Sequence, residues 1–195
     1  MQKPFIFVLL FIAMAGLSAC QKNEQTNKPA VKVNGQSIPI PEQLSALDMY
    51  HFKELVKAPD FELPSTEGKN LKLSQYRGKV VLLSFWTTWW RYCRKEFPSL
   101  KNLNQHFKGK PFTILAIDLR EKKSLVTRYV RDNGLTYTNL IDETGKVSGQ
   151  YGVSSTPVKF LIDAEGNMVG AAMGYREWDS DEVKALIETV MNTKE

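Results

Sequence analysis

VVLLSFWTTWWRYCRKEFPSL, residues 80–100, is the stretch on which the fold turns. Val80 to Phe85 is an unbroken apolar run that follows Gly78, the pattern of a strand covered on both faces. A helix is predicted from Trp90 to about Phe107. Its apolar positions, Cys93, Phe97, Leu100, Leu103 and Phe107, recur at steps of four, three, three and four, which is one face of an α-helix. A second buried-type run follows at FTILAIDL, Phe112 to Leu119. Strand, helix, strand in this order is a βαβ unit with parallel pairing and a right-handed crossover. One cysteine, Cys93, lies near the start of the helix, and Trp90 stands three residues before it.

The rest of the chain extends this pattern. Ser124 to Asn133 reads as a helix stopped by Gly134. Val158 to Asp163 and Met168 to Met173 read as strands joined by Ala164-Glu165-Gly166-Asn167 in a hairpin. A last helix opens at Asp179, with Glu182 three residues on as an Asp version of the capping box, and carries Val183, Leu186, Ile187 and Val190 on one face. A βαβ half followed by a ββα half gives an α/β fold, a three-layer α/β/α sandwich over residues 58–192. Residues 37–57 form an N-terminal extension, in which Leu44 to Val56 is predicted as a short helix.

The first 36 residues read differently. Lys3 precedes an apolar run, Phe5 to Ala15, of signal-peptide length and short for a membrane span. Leu17-Ser18-Ala19-Cys20 closes it and looks like a bacterial lipobox, with residues 1–19 removed and a lipid carried on the Cys20 thiol. An ordinary secretory signal and a permanent anchor are the other readings. Residues 20–36 are polar and aperiodic, a flexible tether of about sixteen residues that spans roughly 20–25 Å. Gln21, in place of the Asp that retains lipoproteins at the inner membrane, points to the outer membrane of a Gram-negative envelope. The chain has two cysteines in all, so lipidation of Cys20 leaves Cys93 as the single thiol.

Several functions are poorly supported. The net charge of +5 is spread through the chain with no basic run, which speaks against nucleic acid as a partner. His51 and His106 are far apart in sequence, so no metal site and no metal cofactor are expected. No glycine loop for phosphate is present.

In the order of its elements and in local sequence the chain resembles the thioredoxin fold, and most closely the TlpA/ResA-type envelope thiol–disulfide oxidoreductases. APDFELPSTEGKNLKLSQYRGKVVLLSFWTTWW (58–90), RKEFPSL (94–100) with its internal Pro98, and YGVSSTPVKFLIDAEGNMV (151–169) carry the resemblance. It implies redox chemistry on client proteins or small thiols, no cofactor, and a W-C-x-x-C active site at the helix start. The corresponding residues here are Trp89, Trp90, Arg91, Tyr92 and Cys93. The resolving cysteine is present, and the nucleophilic one is Trp90. The resemblance also implies a cis bond between Thr156 and Pro157, where the family pairs an extended substrate segment, and a buried acid facing the cysteines, for which Asp118 and Glu121 are candidates. Lys159 departs from the small polar residue common in the family.

Elementary chemistry makes the substitution severe. A helix N-terminus favours the thiolate, and position 90 is where that benefit is largest. Cys93 lies almost a turn further in, on the apolar stripe, where burial disfavours charge. Even an unperturbed thiol of pKa near 8.5 is only about 3% thiolate at pH 7. Two functions follow. In one, Cys93 is a residual catalytic thiol that forms mixed disulfides and is regenerated by an outside thiol. In the other, Trp89, Trp90, Thr156 and Pro157 form a surface that binds extended peptides or a partner without catalysis. Cys93 as an inert buried thiol, Trp90 as local packing, and Asp118 and Glu121 as a strand-end cap and a solvated charge are the structural alternatives.

Overall fold

The computed structural model of the chain describes residues 32–33 and 36–193; the expected signal segment 1–19, the expected lipid-attachment residue Cys20 and most of the expected tether lie outside them. In chain order the elements are β1 (Lys32–Val33), β2 (Gln36–Ser37), α1 (Ile40–Ala46), β3 (Tyr50–Lys57), β4 (Glu62–Pro64), β5 (Asn70–Lys72), β6 (Val80–Trp86), α2 (Arg91–His106), β7 (Phe112–Leu119), α3 (Lys123–Asp132), β8 (Thr138–Asp142), α4 (Lys146–Gln150), β9 (Val158–Ile162), β10 (Asn167–Met173) and α5 (Asp181–Asn192), with a 3₁₀ turn at Leu73–Tyr76. Among the described residues no helix is long and apolar enough to cross a membrane.

Six strands form one sheet in the order β3-β10-β9-β6-β7-β8. β6 pairs parallel with β7, and β7 parallel with β8, as two βα crossovers require. β9 runs antiparallel to β6, and β10 antiparallel to β9. The strand period of two divides the core cleanly. Val80, Leu82 and Trp86 of β6 face α1, α2, α3 and α5, while Val81, Leu83 and Phe85 face the opposite layer. That second layer is thin: α4, the β4–β5 hairpin and the 3₁₀ turn cover it, with Phe61, Leu73, Val147 and Val153 as its buried side chains. The three-layer thioredoxin-like architecture expected from sequence is therefore present, with a strand added at each edge.

The N-terminal extension differs from expectation. The helix predicted over 44–56 is α1, which ends at Ala46, followed by strand β3. Asp48 adopts a left-handed φ of 51°, and the Met49 N–H closes back on the Leu44 carbonyl at 2.9 Å, which ends the helix. β3 is then held by pairing with β10, a contact that local propensity cannot report. Leu44 enters the core at Gly170 of β10. A Cβ there would stand 2.6 Å from Leu44 Cδ2 and 3.1 Å from the Tyr50 carbonyl oxygen, so this approach requires glycine. The last helix is capped one residue later than expected: the Ser180 side chain accepts from the Val183 N–H, and Asp179 instead accepts from Asn102 Nδ2 at 2.7 Å.

Two buried polar clusters position the functional region. In β9, Val158, Phe160 and Ile162 face the thin layer, so Lys159 must face α2 beside Leu161. Its cross-strand neighbours are the small residues Ser84 and Ala172, which leave room for the long side chain. On α2, Glu96 lies one turn beyond Cys93 on the same buried stripe and forms an ion pair with Lys159. Both side chains are sealed from solvent. Glu96 Oε1 also accepts from Trp178 Nε1 at 3.0 Å and from the Arg176 N–H at 3.2 Å, so the segment leading into α5 is tied to the same carboxylate. Burial pushes the Lys159 ammonium down in pKa, and the Glu96 carboxylate opposes that push.

The second cluster fixes the β6–α2 junction. Thr88 donates its backbone N–H and its hydroxyl to the two Glu121 carboxylate oxygens, each at 2.6 Å. Asp118, fully buried at the end of β7, accepts the Glu121 N–H at 3.2 Å. Burial, reinforced by hydrogen bonding to Glu121 and by its charge, raises the Asp118 carboxyl to a pKa of about 9, so Asp118 is protonated at neutral pH beside an acceptor that holds the loop.

Each cluster gives a test. Glu96→Leu leaves the Lys159 charge buried without a partner, and the expected loss of stability is about 3–5 kcal/mol by chemical denaturation. Glu96→Leu combined with Lys159→Met should recover most of that loss, and a double variant as unstable as the single one would refute the pairing. For Asp118, the folded value near 9 lies above the unfolded value of about 3.9. The folded state holds the extra proton between those limits, and this group's contribution to stability falls as pH rises through that window. Asp118→Asn keeps an acceptor for the Glu121 N–H and a donor toward its carboxylate. The variant should match the parent near pH 4 and gain on it steadily up to pH 9. A difference in urea midpoint that stays flat with pH would contradict the assignment.

Candidate functional site

The site forms where β6 ends, α2 begins and the loop before β9 returns. β6 delivers Thr87 and Thr88, both buried, and the chain then turns out through Trp89, which is 65% exposed. Trp90 takes the N-cap position of α2 with an extended backbone and no side-chain cap bond. Its indole is half-buried and packs on the cluster that contains Cys93. The nucleophile position of the C-x-x-C pattern is thus filled by a large apolar ring that leans into the core.

Cys93 is 1% exposed. Burial raises the pKa of its thiol above the ordinary value, against the opposing influence of the Thr156 side chain, the Thr87 backbone and the Lys159 charge; the Glu96 carboxylate adds to the rise. At neutral pH the group is a protonated, covered thiol, the opposite of an activated nucleophile. The Thr156-Pro157 bond is cis, as the resemblance implies. The Thr156 and Thr87 hydroxyl oxygens lie 3.4 Å apart, which brings the loop before β9 against the start of the helix. Thr156 is half-buried and Pro157 buried.

Trp89, Trp90, Cys93, Thr156 and Pro157 therefore do converge, but not as equals. Cys93 lies inside, while Trp89 and part of Trp90 face out. Trp86 packs inward, with its ring 5.2 Å from that of Phe97. Asp118 is the strand-end cap, accepting the Glu121 N–H, and Glu121 is not a solvated charge but the acceptor that anchors Thr88; neither lies on the cysteine's helix face. The buried acid on the cysteine's own stripe is Glu96. Its sequence signal was a charge one turn from Cys93 on an otherwise apolar helix face, matched by a lysine inside the strand run VKFLI. Among the described residues no cluster of His, Cys, Asp and Glu is arranged to hold a metal ion.

Around this core the surface is aromatic. Ring centroids step from Trp89 to Trp90 at 5.7 Å, to Tyr92 at 5.4 Å and to Tyr175 at 6.4 Å. Met173, at the end of β10 and 79% exposed, pairs across to Val158 directly after Pro157. An exposed strip of this kind fits a ligand with apolar side chains.

Residues 56–171 match the AhpC/TSA family. Thiol-disulfide oxidoreductase ResA of Bacillus subtilis (strain 168) is 38% identical over 117 residues, 60% of this chain and 65% of the relative, just under two thirds of its length. ResA of Geobacillus thermodenitrificans is 35% identical over 133 residues, 68% of this chain and 75% of the relative. Among solved structures, a putative thiol:disulfide interchange protein DsbE from Chlorobium tepidum matches with a TM-score of 0.66 at 31% identity, covering 72% of this chain and 99% of that one. StoA from Bacillus subtilis shares the fold, with a TM-score of 0.57 at 21% identity over 67% of this chain and 96% of that one. With the βαβ core, the cis-proline loop and these matches in agreement, the chain belongs to the AhpC/TSA family of thioredoxin-fold proteins, on its ResA-type thiol–disulfide oxidoreductase branch.

Proposed function

We propose that this chain is a membrane-tethered ResA-type protein of the cell envelope that holds client segments at its cis-proline surface and does not run the dithiol cycle of the family. The observation that carries this reading is the state of Cys93: a single thiol at the C-x-x-C position, 1% exposed and with a raised pKa. A dithiol oxidoreductase reduces a client disulfide in two exchanges. The first thiolate forms a mixed disulfide and releases one client thiol; the second displaces the other client thiol and closes the enzyme disulfide. With Trp90 at the first position, neither the attacking group nor the internal resolving step is available. The client-holding half is retained: Thr156, the cis Pro157 and the exposed Trp89. The tether and the Cys20 lipid place this surface near a membrane, the outer one in a Gram-negative cell. Clients are envelope proteins.

A second reading has one observation in its favour. The Thr156 side chain, the Thr87 backbone and the Lys159 charge all act to lower the Cys93 pKa, against burial, and Thr156 directly precedes the cis Pro157. A movement of Trp90 that uncovered the thiol would present it beside the cis-proline, ready for one exchange with a client disulfide or a small oxidised thiol, with release by an outside thiol.

Iodoacetamide labelling of the full-length protein, read at the Cys93 peptide by mass spectrometry, separates the two. Under the first reading the native rate is suppressed by orders of magnitude relative to the denatured chain, and Trp90→Ala raises it. A native rate equal to the denatured one, with an apparent pKa below the ordinary thiol value, would replace the first reading by the second. In a complementary test, Trp90→Cys restores two thiols at i and i+3 on the first turn. Oxidised glutathione should then yield a 90–93 disulfide and two reduced glutathiones per chain, detected as a loss of two mass units. Failure to form it would mean that the substitution is not what blocks the dithiol chemistry.

A further inference from the structure

We propose that the clients held at this surface are acidic: extended segments in which carboxylates alternate with aromatic or apolar side chains. The inference rests on the client-holding reading above and adds the charge that the client must carry.

The aromatic strip is interleaved with cations. The Arg91 guanidinium stands 4.7 Å from the centroid of the Tyr92 ring, and its Nη2 donates to the Tyr92 hydroxyl at 2.8 Å. The Lys95 ammonium lies 5.7 Å from the Tyr92 centroid and 5.9 Å from that of Tyr175, bridging the two rings. Arg91, Arg94 and Lys95 form no ion pair among the described residues. Of the carboxylates nearby, Glu96 is paired with Lys159, while Glu121, Glu177 and Asp179 hydrogen-bond the neutral donors Thr88, Tyr175 and Asn102 and form no ion pair with these three cations. The strip therefore presents cations that no carboxylate pairs with, against one exposed carboxylate, Glu177, at its Tyr175 end. The Tyr92 phenol registers the same field, since the Arg91 hydrogen bond and charge hold its pKa below the ordinary tyrosine value.

The placement of these cations is costly for the isolated protein. Arg91, Arg94 and Lys95 lie in the first five residues of a sixteen-residue helix, with no acid in its first turn and no side-chain cap. That is the positive end of the helix dipole, where anions stabilise and cations destabilise. A local rule broken at an exposed aromatic surface, with no ion pair to offset it, is the pattern of a binding site. An acidic segment offsets both the uncompensated cations and the helix terminus. Same-face side chains of an extended segment recur about every 7 Å, close to the spacing of the rings, so such a segment sets one side chain on each step of the strip.

The test uses the full-length protein in zwitterionic nanodiscs and two probe decapeptides of equal aromatic content, one with four Asp and one with four Lys. Calorimetry at low salt should show the acidic peptide binding at least about tenfold more tightly, with the preference shrinking as salt rises. Arg91→Glu combined with Lys95→Glu should invert the preference, while Trp89→Ala weakens both peptides alike. Circular dichroism verifies that each variant is folded. Equal binding of the two peptides, with Trp89→Ala still weakening both, overturns the acidic specificity and leaves the client-holding surface standing. Binding of neither peptide overturns both.

Discussion

A carboxylate in the protein interior is tolerated only when its charge is met, and Glu96 is met by three donors. Lys159 reaches it from the central sheet, Trp178 and the Arg176 N–H from the segment before α5. Helix α2, strand β9 and the C-terminal segment are therefore fixed to one another by a single group. An unpaired buried charge would cost several kcal/mol, so each partner is bound to the geometry of the others. The loop carrying Thr156 and Pro157 leads directly into β9, and Cys93 lies one turn before Glu96 on α2. The relation between the cysteine and the cis-proline, on which the family's chemistry depends, is set by this network.

The same network explains how the fold survives the loss of its nucleophile. Trp90 occupies a helix N-cap without supplying a cap, yet its ring packs on the core cluster that contains Cys93. The β6–α2 junction is held independently, because Thr88 is clamped by Glu121 and Glu121 is steadied by a protonated Asp118. The scaffold thus depends on buried polar contacts beside the reacting position and not on the reacting group. What the substitution changes is chemistry and surface: a covered thiol of raised pKa within, and an aromatic, cationic strip without.

The strip and the covered thiol are two consequences of one sequence stretch. TTWWRYCRK places small hydroxyl residues where the strand ends, large rings where the chain emerges, and cations through the first turn of the helix. A catalytic member needs that turn to stabilise a thiolate. Here the turn has no thiolate to stabilise, and its cations rest over tyrosine rings.

Much of this was legible in the chain itself. Unbroken apolar runs at 80–85 and 112–119 announced strands covered on both faces, the four-three-three-four spacing announced α2, and Gly134 and the 164–167 turn marked real boundaries. These are local signals, written in side-chain period and backbone preference. The sequence also determined that one position of the C-x-x-C pattern is missing and that the remaining cysteine lies on an apolar face. It did not disclose that 50–57 is an edge strand, because a strand at an edge owes its existence to the neighbour it pairs with. Nor did it join Glu96 to Lys159, although each was visible as a charge in an apolar context. Their pairing spans 63 residues and is meaningful only once strand alternation turns Lys159 toward α2. Period and propensity are properties of neighbours in the chain, whereas the pairing of buried charges is a property of neighbours in space. The tertiary structure alone decided which carboxylate lies beside the thiol and which cations are left without a partner.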